Sequence, residues 1–353
     1  MKTCNRIIDL RDLFPGQPRP LAVQIALTYR CYYDCCHCYC SNQPKNELGF
    51  SFWKKVIDQI RSLGCVQLTF TGGDPMLHKD FPDIYRYARK SGFLVTIMST
   101  GYGLNKKIYD VLENYPPFSI EITVNSLDKK NYERIIRTRN TFDRVMENIF
   151  EIKKRGLPLV IKCNALKENK GEILLIKKFA ERLLGKNKFK FDLLILPGLN
   201  RERDPMRHRL LPHEGIAIVK NDAMMKARLL AYNRRLGRGM RKMLYRCMTG
   251  RSSFFIDPQG IMRPCAISNA CVADLKNRSV GSGMKKFIKI ERKEYGAKSK
   301  CVHCQYRAYC YICPARAYLE TGHQAAHSDY YCQLARSIKI FLKKVRRKKV
   351  KKP

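Results

Sequence analysis

Between residues 21 and 196 the chain alternates short apolar, β-branched runs with longer segments of helical spacing, and that alternation restricts the fold more than any other feature. The runs are LAVQIAL, CVQLTF, FLVTIMST, FSIEITVN, LPLVIKCN and KFDLLIL, separated by patterns such as FSFWKKVIDQIRSLG, FPDIYRYARKSG and EILLIKKFAERLLG. Strand then helix, repeated six times, predicts right-handed parallel βα units, because a parallel neighbour is reached only by a crossover. Gly64, Gly92 and Gly185 stand where helices should stop. Six units fall short of a closed barrel's eight, so the expected class is α/β, a partial (β/α)6 TIM-like barrel with reactive groups at the C-terminal strand ends.

The other segments follow from composition. Residues 1–20 read as an extension, 21–196 as the barrel, and 197–246 as an arginine-rich helical connector. From 247 to 335 cysteines recur at short spacing, in a unit too small to hold together by burial alone. Residues 336–353 read as a basic tail whose last part, KIFLKKVRRKKVKKP, suggests a helix end followed by disorder. No apolar run is long enough to span a membrane, and MKTCNRIIDLRDLF carries charges where a secretory signal is apolar, so a cytoplasmic location is expected. There the 16 cysteines of the 353 residues suit metal ligation better than disulfides. A formal charge of +39, from 69 Lys and Arg against 30 Asp and Glu, favours acidic peptides, nucleic acid or anionic lipid as partners, or reads simply as a solvated surface.

Directly after the first run comes RCYYDCCHCYC, in which Cys31, Cys35 and Cys38 are separated by three and then two residues. Three thiolates on one loop can face one side of a compact metal centre and leave a coordination position open, whereas structural zinc closes with four ligands. The second run ends in TFTGGDP. Gly72 and Gly73 allow close backbone approach, and Asp74 and Pro75 fix a turn whose carbonyl or carboxylate can accept an ammonium proton.

This CxxxCxxC spacing, preceded by TYR, followed by Tyr39 and then one βα unit later by GGDP, resembles the radical S-adenosylmethionine superfamily, with Asp where GGEP is usual. The resemblance implies a 4Fe-4S cluster on Cys31, Cys35 and Cys38, its open iron chelated by S-adenosylmethionine, with Tyr39 packed beside it. It implies that Gly72, Gly73, Asp74 and Pro75 meet the methionine amino group and that Ser126 lies near the adenosine or carboxylate. Arg137, in a crowd with Arg134 and Arg139, would pair with the carboxylate through its guanidinium fork, and Asn164 would serve the ribose. Cys36 and Cys40 fall off the pattern, and Cys4, Cys65 and Cys163 read as small hydrophobes. His208, His213, His323 and His327 read as surface or packing residues.

The later cysteines, Cys247, Cys265, Cys301, Cys304, Cys310, Cys313 and Cys332, with Gly260 between the first two, resemble a SPASM domain, departing by one residue before Cys313. The resemblance implies two auxiliary 4Fe-4S clusters, one on Cys301, Cys304, Cys310 and Cys332, the other on Cys247, Cys265 and Cys313. The second lacks a fourth thiolate unless Cys271 supplies it. Zinc at the first group is the rival reading.

What the resemblance implies chemically is reductive cleavage of S-adenosylmethionine to a 5′-deoxyadenosyl radical and oxidative modification of a substrate. A low-potential donor such as ferredoxin or flavodoxin would supply the electron. An acidic peptide, as for ribosomal peptide maturases, suits the basic charge. The barrel begins within about 20 residues, which leaves no room for a leader-gripping winged-helix module at the N-terminus. Ala266 after Cys265 disfavours the sulfatase maturases, which place an acidic group there. Tetrapyrrole side-chain oxidation is the alternative within the enzymes. A non-catalytic iron-sulfur or zinc protein on nucleic acid is the alternative outside them, and it has no use for GGDP beside an open three-cysteine site. The tail reads as solubilising rather than as a membrane or nucleic-acid anchor.

Overall fold

All six expected strands form: β1 Ala22–Thr28, β2 Gln67–Gly72, β3 Leu94–Ser99, β4 Ser119–Thr123, β5 Leu159–Asn164 and β6 Phe189–Asp192. The computed structural model describes residues 19–41, 43–44, 46–200, 204–236, 242–247, 250–291 and 293–350, so Cys4 and most of the expected extension lie outside the described residues. Neighbouring strands pair in parallel from β1 through β6. Their apolar runs are buried on both faces, as a parallel sheet requires, with Val23, Ile25, Ala26 and Leu27 of β1 fully covered.

Helices α1 Phe50–Ser62, α2 Phe81–Lys90 and α3 Lys106–Asn114 make the first three crossovers, α4 Lys129–Ile136 and α5 Phe142–Lys154 share the fourth, and α6 Ile173–Leu184 makes the fifth. Each lays one stripe on the sheet; in α1 it is Trp53, Val56, Ile57 and Ile60, the spacing of a single helical face. Gly64, Gly92 and Gly185 take positive φ just beyond α1, α2 and α6, as expected of residues that end helices.

The cysteine-rich region is continuous with the barrel. Strand β7 Ser253–Ile256 pairs in parallel with β1, and β8 Ile261–Arg263 and β9 Ala273–Asp274 follow antiparallel. Among the described residues this makes one nine-stranded sheet, ordered β6-β5-β4-β3-β2-β1-β7-β8-β9. The buried Asp257 carboxylate fixes the β7–β8 hairpin by accepting from Gln259 N, Ile261 N and the Arg263 guanidinium. The connector supplies α7 Pro212–Lys220 and α8 Ala223–Leu236, and α9 Val280–Glu291, α10 Pro314–Thr321 and α11 Asp329–Val350 complete the chain.

Helix α11 runs straight through the expected start of the tail. Ile338, Phe341 and Leu342 are buried one and two turns beyond Leu334, so part of the basic segment is core. A basic run with apolar residues at helical spacing packs its apolar stripe and leaves its lysines in water.

The end of β1 meets the end of β2 at unusually short range. The register shifts between Ala26 and Thr28, and Gly73 N donates to Thr28 O at 2.8 Å while Asp74 N donates to Arg30 O at 2.8 Å. A Cβ at Gly72, whose φ is +131°, would lie 2.0 Å from Thr28 O, and one at Gly73 would lie 2.2 Å from Arg30 O. The sequence suggested close approach to a ligand; the structure shows the glycines already approached by the chain's own backbone.

Gly72→Ala should therefore cost at least roughly 2 kcal/mol, read as a lowered urea midpoint at constant slope. An unchanged midpoint would mean that the two strand ends separate freely. Deletion of residues 340–353 should cost roughly 3–6 kcal/mol through loss of buried Phe341 and Leu342. A purely solubilising tail would leave the melting temperature unchanged.

Candidate functional site

The loop that leaves β1 carries Cys31, Cys35 and Cys38, and three sets of contacts fix its course. Its first residues are held by the backbone bonds to Gly73 and Asp74 described above. Arg30 then closes the loop on itself, its Nε and Nη2 donating to the two Glu47 carboxylate oxygens at 2.7 and 2.9 Å and Nη2 also to Leu77 O at 2.6 Å. On the far side, Asp34 N and Cys36 N donate to Ile136 O (3.1 Å) and Ile135 O (2.9 Å), the carbonyls that α4 leaves unpaired at its C-terminus.

So held, the three thiols line one cavity of about 640 Å³ at the C-terminal ends of the six parallel strands. Burial pushes the Cys31 thiol up to about 12 and Cys35 well above its usual range, and the neighbouring thiolates push both further. Cys40, 3.7 Å from Cys38, holds the Cys38 thiol below the usual range by hydrogen bonding to it. Anions so placed repel one another, and the charge that relieves them is a cationic metal group. Among the described residues no three His, Cys, Asp or Glu side chains converge closely enough to share one metal ion. The soft sulfur donor set, spread along one cavity wall, fits an iron-sulfur cluster.

The other expected site residues divide into wall and scaffold. Tyr39, Gly72, Gly73 and Asn164 line the cavity; Asp74, Pro75, Ser126 and Arg137 do not. Asp74 is buried, and its carboxylate is occupied within the chain. Oδ2 accepts from Ser99 Oγ (2.8 Å), Thr100 N (2.9 Å) and Thr100 Oγ1 (2.6 Å), and Oδ1 accepts from Met76 N (3.1 Å). It thereby ties the ends of β2 and β3 together. Pro75 is buried at the start of the short turn Pro75–Leu77. Ser126 donates to Glu172 Oε2 at 2.7 Å inside the β4–α4 turn. Arg137 is the left-handed residue that ends α4, with φ 54°, and its side chain is exposed.

Sequence reasoning missed several wall residues. His37 Nε2 accepts from Asn164 Nδ2 at 3.0 Å, and burial, then the neighbouring His208, pushes it down to about 4, so its ring is neutral at pH 7. Its position inside the CxxxCxxC loop was the available signal. Lys162 and Asp192, at the ends of β5 and β6, bring opposite charges to the same cavity. Lys162 Nζ lies 3.4 Å from the buried Glu121 carboxylate. His208 pairs with Glu168 at 2.5 Å, and His213 and His323 are exposed.

The later cysteines gather as two groups. Cys301, Cys304, Cys310 and Cys332 line a second cavity of about 90 Å³, with His327 at its rim. Cys265 is pushed up to about 12 by burial and then by the neighbouring Cys313 and Cys247. Cys313 thus leaves its CxxC partner Cys310 for the other group. Cys271 packs, half-buried, against the main core. None of the described cysteines forms a disulfide.

A sequence profile of the Radical SAM superfamily matches residues 25–180. The chain is 32% identical over 149 residues to a PqqA peptide cyclase of Xanthomonas axonopodis pv. citri, a stretch covering 41% of this chain and 40% of that relative. It is 24% identical over 336 residues to an AdoMet-dependent heme synthase of Methanosarcina barkeri, covering 88% of this chain and 96% of that protein. Its fold matches Streptococcus suis SuiB bound to precursor peptide SuiA with a TM-score of 0.71 and 15% identity, covering 90% of this chain and 76% of SuiB. It also matches anSMEcpe with bound AdoMet and Kp18Cys peptide, with a TM-score of 0.65 and 17% identity, covering 90% of this chain and 96% of that one. The chain spans only two fifths of the length of the peptide-cyclase relative, and the structural likenesses carry the fold across the cysteine-rich region as well. The Radical SAM match thus takes in residues 25–180, from within β1 through the three-thiol loop to α6, a little under half of the chain.

Proposed function

We propose that this chain is a radical S-adenosylmethionine enzyme that oxidatively modifies a peptide. The observation that carries the reading is the three-thiol loop opening into one cavity at the C-terminal ends of a parallel barrel. Cys31, Cys35 and Cys38 would hold a 4Fe-4S cluster. With S-adenosylmethionine bound, the cluster supplies one-electron reductive cleavage to a 5′-deoxyadenosyl radical.

The residues have separate duties in this reading. Backbone carbonyls around Gly72 and Gly73 receive the methionine ammonium, because the Asp74 carboxylate is already committed to Ser99, Thr100 and Met76. Asn164, oriented by His37, serves the ribose. Tyr39 packs beside the cluster, Ser126 shapes the β4–α4 turn, and Arg137, exposed between the cavity residues Ile136 and Thr138, would have to turn inward to meet the carboxylate. Cys301, Cys304, Cys310 and Cys332 would hold one auxiliary cluster and Cys247, Cys265 and Cys313 another, within a SPASM-type unit over residues 247–335.

The peptide as substrate class is supported by the names of the relatives, a PqqA peptide cyclase and SuiB with its precursor peptide, and the +39 charge suits an acidic one. A low-potential ferredoxin or flavodoxin would supply the electron. Among the described residues no helix is long and apolar enough to cross a membrane, and we place the enzyme in the cytoplasm. The near full-length alignment with a heme synthase favours a second reading, oxidation of a tetrapyrrole side chain.

Anaerobic reconstitution with iron and sulfide, then dithionite and S-adenosylmethionine, should release 5′-deoxyadenosine. The triple variant Cys31→Ala, Cys35→Ala, Cys38→Ala should keep the auxiliary iron and form none; persistent cleavage would reassign the ligands. A mass change in an acidic precursor peptide supports the first substrate reading, and a mass change confined to a tetrapyrrole replaces it with the second.

A further inference from the structure

Four thiols and a buried guanidinium share one small cavity in which no carboxylate takes part. Arg307 lines the 90 Å³ space together with Cys301, Cys304, Cys310 and Cys332. It is 1% exposed. Its Nη2 donates to Met243 O at 3.2 Å, and its guanidinium lies 4.7 Å from the centroid of the Tyr295 ring. Its Nε and Nη1 have no hydrogen-bond partner among the described residues.

Arg246 stands beside it, donating to the carbonyls of Arg307 at 2.9 Å and Cys310 at 2.5 Å. Neither guanidinium has a carboxylate partner among the described residues. Arg336 also lines the cavity, but it is exposed and its charge is screened by water.

Leaving two nitrogens of a buried cation without partners is expensive unless an anion comes to meet them. The groups in this cavity that can become anionic are the sulfurs of Cys301, Cys304, Cys310 and Cys332, which line it together with Arg307. Four thiolates around a 4Fe-4S core of charge +2 leave a net charge of −2, which two guanidiniums would balance. We propose that Arg307, backed by Arg246, is the counter-charge of the cluster held by Cys301, Cys304, Cys310 and Cys332, its Nε–H and Nη1–H donating to the cluster's sulfurs. The inference rests on reading those cysteines as cluster ligands.

One electron from the low-potential donor takes the group from −2 to −3, and a fixed cation with hydrogen bonds to sulfur favours the more negative state. Arg307 therefore raises the reduction potential of this cluster, a positioning role exerted through charge rather than contact with substrate.

The test uses the full chain carrying Cys31→Ala, Cys35→Ala and Cys38→Ala, so that only auxiliary clusters contribute. Iron is counted, and reduction is followed by electron paramagnetic resonance in a potentiometric titration. Arg307→Gln should make reduction of one cluster at least tenfold less favourable, about 59 mV for one electron, and Arg307→Lys should restore most of it. Full iron with an unchanged potential in Arg307→Gln overturns the proposal. If Arg307→Gln loses iron, retention by Arg307→Lys supports a charge role, and equal loss in both overturns it in favour of packing. Iron counting on the parent protein separates the two layers: a parent that holds zinc or no metal at these cysteines sinks the cluster reading itself.

Discussion

The placement of the site depends on the contact between the end of β1 and the two glycines that end β2. Thr28 and Arg30 carbonyls lie where Cβ atoms at positions 72 and 73 would have to be. Because no side chain intervenes, the loop leaves β1 along the rim of β2, and its thiols turn inward over the strand ends. Arg30 with Glu47, and the last carbonyls of α4 with Asp34 N and Cys36 N, then hold the rest of that loop. Most of what positions Cys31, Cys35 and Cys38 is backbone, so the thiols are preorganised without using side chains that the chemistry needs.

The second governing constraint is charge. Burial alone keeps most of these thiols protonated, as the upward shifts at Cys31, Cys35, Cys163 and Cys265 show. A thiolate becomes stable here only beside a cation, whether a metal core or a guanidinium. Arg316, half-buried at the start of α10 and donating to Tyr311 O at 2.9 Å, gives the Cys247, Cys265 and Cys313 group its own positive neighbour. The basic excess of this chain is thus more than a solvated surface, since some of it lies inside against sulfur.

Much of the barrel was legible because period and length are local properties. Six apolar runs became six parallel strands, and the stop glycines fell where helices end. The cysteine triplet was also legible, since spacing along a loop limits which sulfurs can share one wall; the division of the later cysteines followed from the resemblance alone. Asp74 and Ser126 were read as ligand contacts, and their roles as ties were not legible, because each meets partners from distant segments, Ser99 and Thr100 in one case and Glu172 in the other. His37, Lys162 and Asp192 escaped notice for the same reason: a lone polar residue near a strand end acquires meaning only when its neighbours across the sheet are known.

The sequence by itself determined the class of fold and the three-thiol loop, both of which depend on spacing within short stretches, while the grouping of the later cysteines came from the family resemblance. Only the tertiary structure decided that β7 continues the barrel sheet beside β1, that α11 buries part of the basic tail, and that Gly72 and Gly73 make room for backbone. It alone set Arg307, whose Nε and Nη1 lack partners among the described residues, in one cavity with four sulfurs drawn from residues 301 to 332. Such facts are sums over contacts between residues far apart in the chain, and desolvation, which sets their energetic weight, exists only once the chain has closed around them.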